Sequence, residues 1–343
     1  MTLEEIKKKV ASDEYSFLRE NEHLGDRVCL LTLGGSHAYG TNVDTSDLDV
    51  RGIAVCSKNE ILTNQKFEQF TNSETDTVIY SFDKIISLLS DCNPNTIELL
   101  GCKPEHYLYV NDIGKSLLEN KSMFLSKRCI HSFGGYANSQ LRRLENLSCR
   151  YVEQDKHEKY ILDSIENASV DFKERYFSES ENDFVKLYID KAVNPEMTSE
   201  IFMDVSFKHY PLRDWCGMWN EMKSIVSSYN KIGQRNRKAI DHGKIGKHMA
   251  HLLRLYLMCI DILEQGEIIT YREKDHDLLM SIRNGEFLDE NEQPKQEFYE
   301  ILNYYEGIFN AAKESTKLPE KPDYKRINEF LAGVNESVVK GGC

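Results

Sequence analysis

Long hydrophobic runs are missing from this 343-residue sequence. Apolar stretches such as Val28 to Leu33 fall far short of the roughly 20 residues a bilayer-spanning helix needs. The acidic, lysine-rich N-terminus also lacks the apolar centre of a signal peptide, so the expectation is a soluble, cytoplasmic protein with no membrane partner. No C-x-x-C pair is present: Cys29, Cys56, Cys92, Cys102, Cys129, Cys149, Cys216, Cys259 and Cys343 are scattered, which argues against a cysteine zinc site or a disulfide framework and for free buried thiols. Net positive charge is missing too, because 56 acidic against 43 basic side chains leave −13. That balance opposes indiscriminate binding to nucleic acid, so any such contact has to come from a local basic surface. Internal repeats and low-complexity tracts are likewise absent.

What is there supports packed cores, with 40% hydrophobic residues in a chain longer than one core usually organises. Two lobes are expected, divided near residues 105 to 125 into segments 1–115 and 116–335. Ile6, Val10, Tyr15 and Leu18 among charges predict an amphipathic helix over Leu3 to Asn21. Arg27 to Leu33, Asp47 to Val55 and Thr75 to Phe82 read as strands. Ser81-Phe82-Asp83 then caps a helix that Asn93-Pro94-Asn95 stops, and a second short helix runs through Glu98-Leu99-Leu100. Helical spacing recurs over Ser126 to Leu147, Arg213 to Tyr229 and Lys244 to Gln265, with Ser178 to Asp183 the most loop-like stretch.

The chemistry is concentrated between Leu33 and Gly52. A strand runs into Gly34-Gly35-Ser36, then a turn containing His37 and Tyr39, then a strand opening with Asp47-Leu48-Asp49. Glycines at a strand end let backbone N–H groups approach an anion, a helix start adds its positive end, and the Ser36 hydroxyl can donate to a phosphate oxygen. Asp47 and Asp49 stand at i and i+2, which on a strand puts both carboxylates on one face where they can share metal ions. Two such ions activate an attacking hydroxyl and stabilise a leaving pyrophosphate, and carboxylate ligands favour Mg2+ or Mn2+ over zinc. A third carboxylate on a neighbouring strand is expected at Asp76, with Glu74, on the same strand face, as the alternative. The plainer reading, a glycine turn with a surface Asp-x-Asp, explains the glycine pair but not the serine, the spacing and the paired carboxylates together.

Gly-Ser, ten intervening residues and Asp-x-Asp resemble the signature of the DNA polymerase β-like nucleotidyltransferases. A longer set is similar to the group of these proteins associated with RNA repair. It comprises Gly35 to Thr41, Ser46 to Gly52, Asn93-Pro94-Asn95 with Glu98-Leu99-Leu100, Lys247-His248, His251-Leu252, Arg254-Leu255 and Ile282-Arg283-Asn284-Gly285. The likeness runs from about residue 30 to 325. It implies an α+β protein, with a small mixed-sheet nucleotidyltransferase core followed by a larger helical C-terminal lobe, and with Asp47, Asp49 and Asp76 as metal ligands. The stretch Asp241 to Gly246 departs from the group's spacing of acidic residue to lysine, so no role is assigned to Asp241.

Lys244, Lys247, His251 and Arg254 follow at intervals of three, four and three, which aligns them on one side of a helix. They are expected to meet nucleotide phosphates or an acceptor backbone, the plainer alternative being a solvated basic face. His248 with His251 has no second doublet to complete a zinc site. Asn93 and Glu98 read as helix-terminal residues. Lys127, Arg128, Arg142, Arg143 and Arg150 are candidates for an RNA-facing surface.

The leading expectation is therefore an enzyme that moves a nucleoside monophosphate from a triphosphate to a hydroxyl, with an RNA end as acceptor. A protein or small-molecule hydroxyl suits the acidic balance. A non-catalytic nucleotide sensor would not need both Asp47 and Asp49, and a ribonuclease would rest only on the short pattern from Arg237 to His242.

Overall fold

A computed structural model describes residues 1–63, 65, 67–148, 184–191, 193, 199–206, 211–212, 215–216, 219–220, 245–290 and 293–341. The chain divides into two compact units. One is drawn from Met1–Ser139, Met249–Glu286 and Gln296–Cys343, the other from Gln140–His248 and Phe287–Lys295.

The first unit begins with α1 (Leu3–Ala11), set by a capping box between Thr2 and Glu5. The helix expected to reach Asn21 stops at Ser12, whose hydroxyl donates to the Lys9 carbonyl, and the chain resumes as α2 (Phe17–Glu20). Then come β1 (Val28–Leu33), α3 (Gly35–Tyr39), β2 (Val50–Ala54), α4 (Lys58–Leu62), β3 (Gln69–Asn72) and β4 (Thr77–Ser81). After them follow α5 (Phe82–Ser90), α6 (Pro94–Ile97), β5 (Tyr107–Val110) and α7 (Asp112–Glu119). The five strands form one mixed sheet in the order β3-β4-β2-β1-β5. β2 and β4 are parallel, and every other neighbouring pair is antiparallel.

All six residues of β1 are buried, which is why it reads as an apolar run interrupted only by Thr32. Leu31, Leu33, Val50, Ala54 and Ile79 share a core with Ile6, Val10, Tyr15, Leu18 and Leu24 from the N-terminal helices. Leu30 and Ile53, opposite each other across β1 and β2, are fully buried outside that cluster. Alternation along a strand assigns them to the other face. Helix starts follow the capping rules: Ser81 accepts from the Lys84 N–H, Asn93 accepts from Asn95 with Pro94 at the first helical position, and Asn111 accepts from Gly114.

Both edge strands escaped the sequence reading. Gln69–Asn72 is polar and half exposed, and Tyr107–Val110 lies where a lobe boundary was expected, yet it pairs with β1. Two boundaries also move. β2 starts at Val50 rather than Asp47, and β4 starts at Thr77 rather than Thr75, because the Asn72 side chain accepts from the N–H groups of Glu74 and Thr75 and closes a turn.

The helices that follow are α8 (Arg128–Ser148), then, after a hairpin of β6 (Phe184–Lys191) and β7 (Ser199–Ser206), α9 (Ile245–Gln265), α10 (His276–Arg283), α11 (Gln296–Ser315) and α12 (Tyr324–Val339). The hairpin belongs to the second unit and was not anticipated; its strands pair in full, with Tyr188 stacked on Phe202 at 6.0 Å between ring centres. The architecture is α+β, a small mixed sheet near the N-terminus and helices toward the C-terminus. No described helix is long and apolar enough to cross a membrane. Among the described cysteines all are free, with Cys29, Cys56, Cys92, Cys129 and Cys259 buried and Cys216 exposed. Most of the expected helix Arg213 to Tyr229, the loop Ser178 to Asp183, Cys149 and the segment containing Arg237, Asp241, His242 and Lys244 lie outside the described residues.

Candidate active site

The end of β1 passes directly into the glycine loop. Gly34 caps α3, and its N–H donates to the Asp49 carbonyl at 2.9 Å. Gly35 has φ +52°, and a Cβ there would overlap the Asp49 carboxylate. At Gly34 a Cβ would lie 2.8 Å from Cγ of Arg51 and 3.3 Å from Cβ of Asp49. Two glycines are needed because the loop is pressed against the base of the carboxylate motif, a requirement the protein imposes whether or not an anion is bound. Ser36 and His37, in the first turn of α3, are buried. Burial pushes the His37 ring below its ordinary pKa, and its buried Nε2 has no hydrogen-bond partner.

Asp47 is exposed and Asp49 half buried in the irregular segment leading into β2. The parallel pairing of Val50 with Thr77 brings Asp76 beside Asp49, and the Val50 N–H donates to the Asp76 carbonyl at 3.3 Å. Asp76 stands in the turn with φ +44° rather than on the strand. Between the two carboxylates lies Arg51, whose Nη2 is 3.1 Å from Oδ1 of each. Glu74 is exposed two residues earlier in the same turn. Asp76 is thus the one joined to Asp49 through a shared partner.

A second cluster lies deeper in the same unit. The Tyr39 hydroxyl donates to Glu98, 2.8 Å from Oε1 and 3.0 Å from Oε2, and Nη1 of Arg254 donates to Oε2 at 3.0 Å. The Arg254 guanidinium lies 3.6 Å over the Tyr39 ring, and its Nη2 is 3.1 Å from Nδ1 of His251. Burial pushes the Glu98 carboxyl up, with Arg254 and Tyr39 pulling against it, and pushes the Tyr39 phenol well up. Burial also works against the charge on Arg254, but Tyr39 and Glu98 together hold it protonated. The segment after α9 clamps this cluster: Thr270 donates through Oγ1 to the Glu98 carbonyl at 2.6 Å, and the Arg272 N–H donates to the Tyr39 carbonyl at 3.1 Å. Arg283 of α10 donates to Oγ of Ser46 at 3.1 Å and so secures the loop that ends in Asp47.

The expected basic stripe is not one continuous open face. Arg254 is 2% exposed and turned onto Glu98, because it sits among Leu252, Leu253 and Leu255 on the buried side of α9. Lys247 is exposed, His251 is half buried, and Lys244 lies outside the described residues. Lys127 pairs with Glu320 and Arg128 with Asp91, Arg150 lies outside the described residues, and Arg142 and Arg143 fall within α8. Glu98 is no mere helix end, and Arg51 was passed over although it stands two positions beyond Asp49. Asking what balances a pair of neighbouring carboxylates would have found Arg51. Glu98 carried no local signal, since its partners Tyr39 and Arg254 are 59 and 156 residues away.

Among the described residues no group of three or more His, Cys, Asp or Glu stands ready to hold a metal ion. Asp49 and Asp76 nevertheless converge on one cationic nitrogen, and their hard oxygen donors suit Mg2+ or Mn2+.

Residues 3–162 match the model of a family described as the RNA repair pathway DNA polymerase beta family. The resemblance read from the glycine loop and the carboxylates is found again over that segment, and the family is one of polymerase β-like nucleotidyltransferases in RNA repair. The chain is also similar to the "Uncharacterized 38.9 kDa protein in nrdC-mobD intergenic region" of Enterobacteria phage T4. That protein is 23% identical over 330 residues, spanning 88% of this chain and 94% of the phage protein. No solved structure matches the chain significantly.

Proposed function

We propose that the protein transfers a nucleoside monophosphate from a nucleoside triphosphate to a hydroxyl, with the end of an RNA as acceptor. The observation that carries this reading is the packing of the Asp49 carboxylate against Gly35, with Asp76 brought alongside through Arg51. A phosphate held on the loop would lie directly against those carboxylates. Asp47, Asp49 and Asp76 would hold two divalent ions, Mg2+ or Mn2+. Such ions supply charge neutralisation of the triphosphate and polarisation of the acceptor hydroxyl.

The chain's own part is positioning. Backbone N–H groups of Gly35 and Ser36, with the Ser36 hydroxyl, would orient the β- and γ-phosphates, and His37, neutral through burial, would line the loop without adding charge. Tyr39 is held by Glu98 and Arg254, so the helix that follows the glycines has its far end fixed before substrate arrives. RNA as acceptor is supported by the family description over residues 3–162. The net charge of −13 favours, as a second reading, a protein or small-molecule hydroxyl.

The test is incubation with each labelled nucleoside triphosphate, Mg2+ and either total cellular RNA or total protein. Label retained on RNA and lost with Asp49→Asn is the expected result. Label on protein alone would replace the acceptor, and no label on either fraction together with no release of pyrophosphate from any triphosphate would overturn the reaction class.

A further inference from the structure

Arg51 occupies the place that the proposed chemistry reserves for a cation. Its Nη2 is shared between Asp49 Oδ1 and Asp76 Oδ1 at 3.1 Å each, and its Nη1 donates to the carbonyls of Val50, at 3.0 Å, and Asp76. The stem of the side chain runs along Gly34, which has no Cβ to obstruct it. A guanidinium in this position and a metal ion shared by the same carboxylates would compete for the same oxygens and repel each other at contact distance. The two states oppose each other.

We propose that Arg51 is a resident counter-cation that makes metal binding conditional on nucleotide. Without nucleotide it balances Asp49 and Asp76 and holds free divalent ions off. When triphosphate and metal arrive together, the guanidinium leaves the carboxylates and takes a phosphate oxygen. Three features support the exchange. The side chain is 20% exposed, so it already stands at the mouth of the site. It lies against the loop assigned to the triphosphate. A planar fork that matches carboxylate also matches phosphate, so the released side chain has a partner of equal fit. By linkage, a ligand that draws Arg51 away from the carboxylates tightens metal binding, and metal tightens that ligand by the same factor.

This inference rests on Asp49 being a metal ligand, and the experiment separates the two. Mn2+ binding is measured from the electron paramagnetic resonance signal of the free ion, with and without a non-hydrolysable nucleoside triphosphate. The proteins are the wild type, Arg51→Gln, Arg51→Lys and Asp49→Asn, each checked for folding by circular dichroism and thermal unfolding. In the wild type the analogue should tighten Mn2+ by about tenfold or more, within the usual span of site coupling. Arg51→Gln should bind Mn2+ alone about tenfold more tightly than wild type and gain correspondingly less from the analogue, keeping only the coupling that direct metal–phosphate contact supplies. Arg51→Lys keeps the charge without the fork and should fall between them, which preserves the test if the glutamine variant does not fold. A folded Arg51→Gln that binds Mn2+ alone no better than wild type overturns the proposal for Arg51. With the analogue present, Asp49→Asn binding Mn2+ as tightly as the wild type would overturn the metal site itself, and the role of Arg51 with it.

Discussion

The carboxylate edge and the buried cluster behind it use the same kinds of charge in opposite ways. Asp76 is 56% exposed, and the Arg51 that joins it to Asp49 makes contacts a ligand can replace. The side chains of Glu98 and Arg254 are 9% and 3% exposed, with each other and Tyr39 as partners. Exposed charges are cheap to re-pair and suit chemistry. Buried ones are costly to unpair and suit architecture. The contrast predicts that variants at the edge will separate activity from stability, whereas variants in the cluster will lose both together.

The largest effect is expected at the edge. Asp47→Asn or Asp49→Asn should lower the rate of nucleotidyl transfer by about a thousandfold, the scale of losing one preorganised electrostatic element. The urea midpoint should scarcely move, and an activity close to wild type would dissolve the distinction between the two regions. Next comes Arg254→Met, which strands the Glu98 carboxylate and should cost about 3–5 kcal/mol of stability in urea unfolding. If it instead unfolds like the wild type, the cluster is not the architectural half of the pair.

A smaller effect concerns pH. Burial holds His106 below its ordinary value of 6.5, so the unfolded chain takes up its proton first as pH falls. The contribution of His106 is therefore complete above 6.5 and is lost as pH falls through the depressed folded value. His106→Asn should flatten the decline of the urea midpoint as pH falls below 6.5; an unchanged decline would assign that loss to other groups. The smallest effect is expected for Lys127→Ala, which removes the exposed pair with Glu320 and should change stability by about 0.5 kcal/mol or less. A larger loss would show that surface pairs matter here more than their exposure implies.

How much of this was legible in the sequence follows from how local each feature is. The glycine loop, Asp47, Asp49 and the strand before them lie within 25 residues and announce themselves by composition and spacing. The two edge strands do not, because Gln69–Asn72 has no apolar run to betray it and Tyr107–Val110 is only four residues long. The position of Asp76 in a turn depended on the Asn72 side chain closing that turn, which strand propensity does not register. The helical spacing that Arg254 shares with Lys247 and His251 points to an open, phosphate-facing stripe. The apolar neighbours on both sides of it were the better guide. Only the fold could bring it to Glu98.

The pairing of Glu98 with Arg254 also bears on how the protein comes off the ribosome. The sheet and its glycine loop are complete once residue 110 has been synthesised, but the cation that neutralises Glu98 is made 156 residues after it. Until then the nascent chain carries a carboxylate in a site shaped to bury it, so the N-terminal module has to wait, solvated at that point, for its own C-terminal half. A fragment cut to the family-matched span, residues 3–162, would inherit the glycine loop and the carboxylates without the arginine. It should be expressed in a looser state than the full chain, and it would be the wrong piece to choose for crystallisation or for assay.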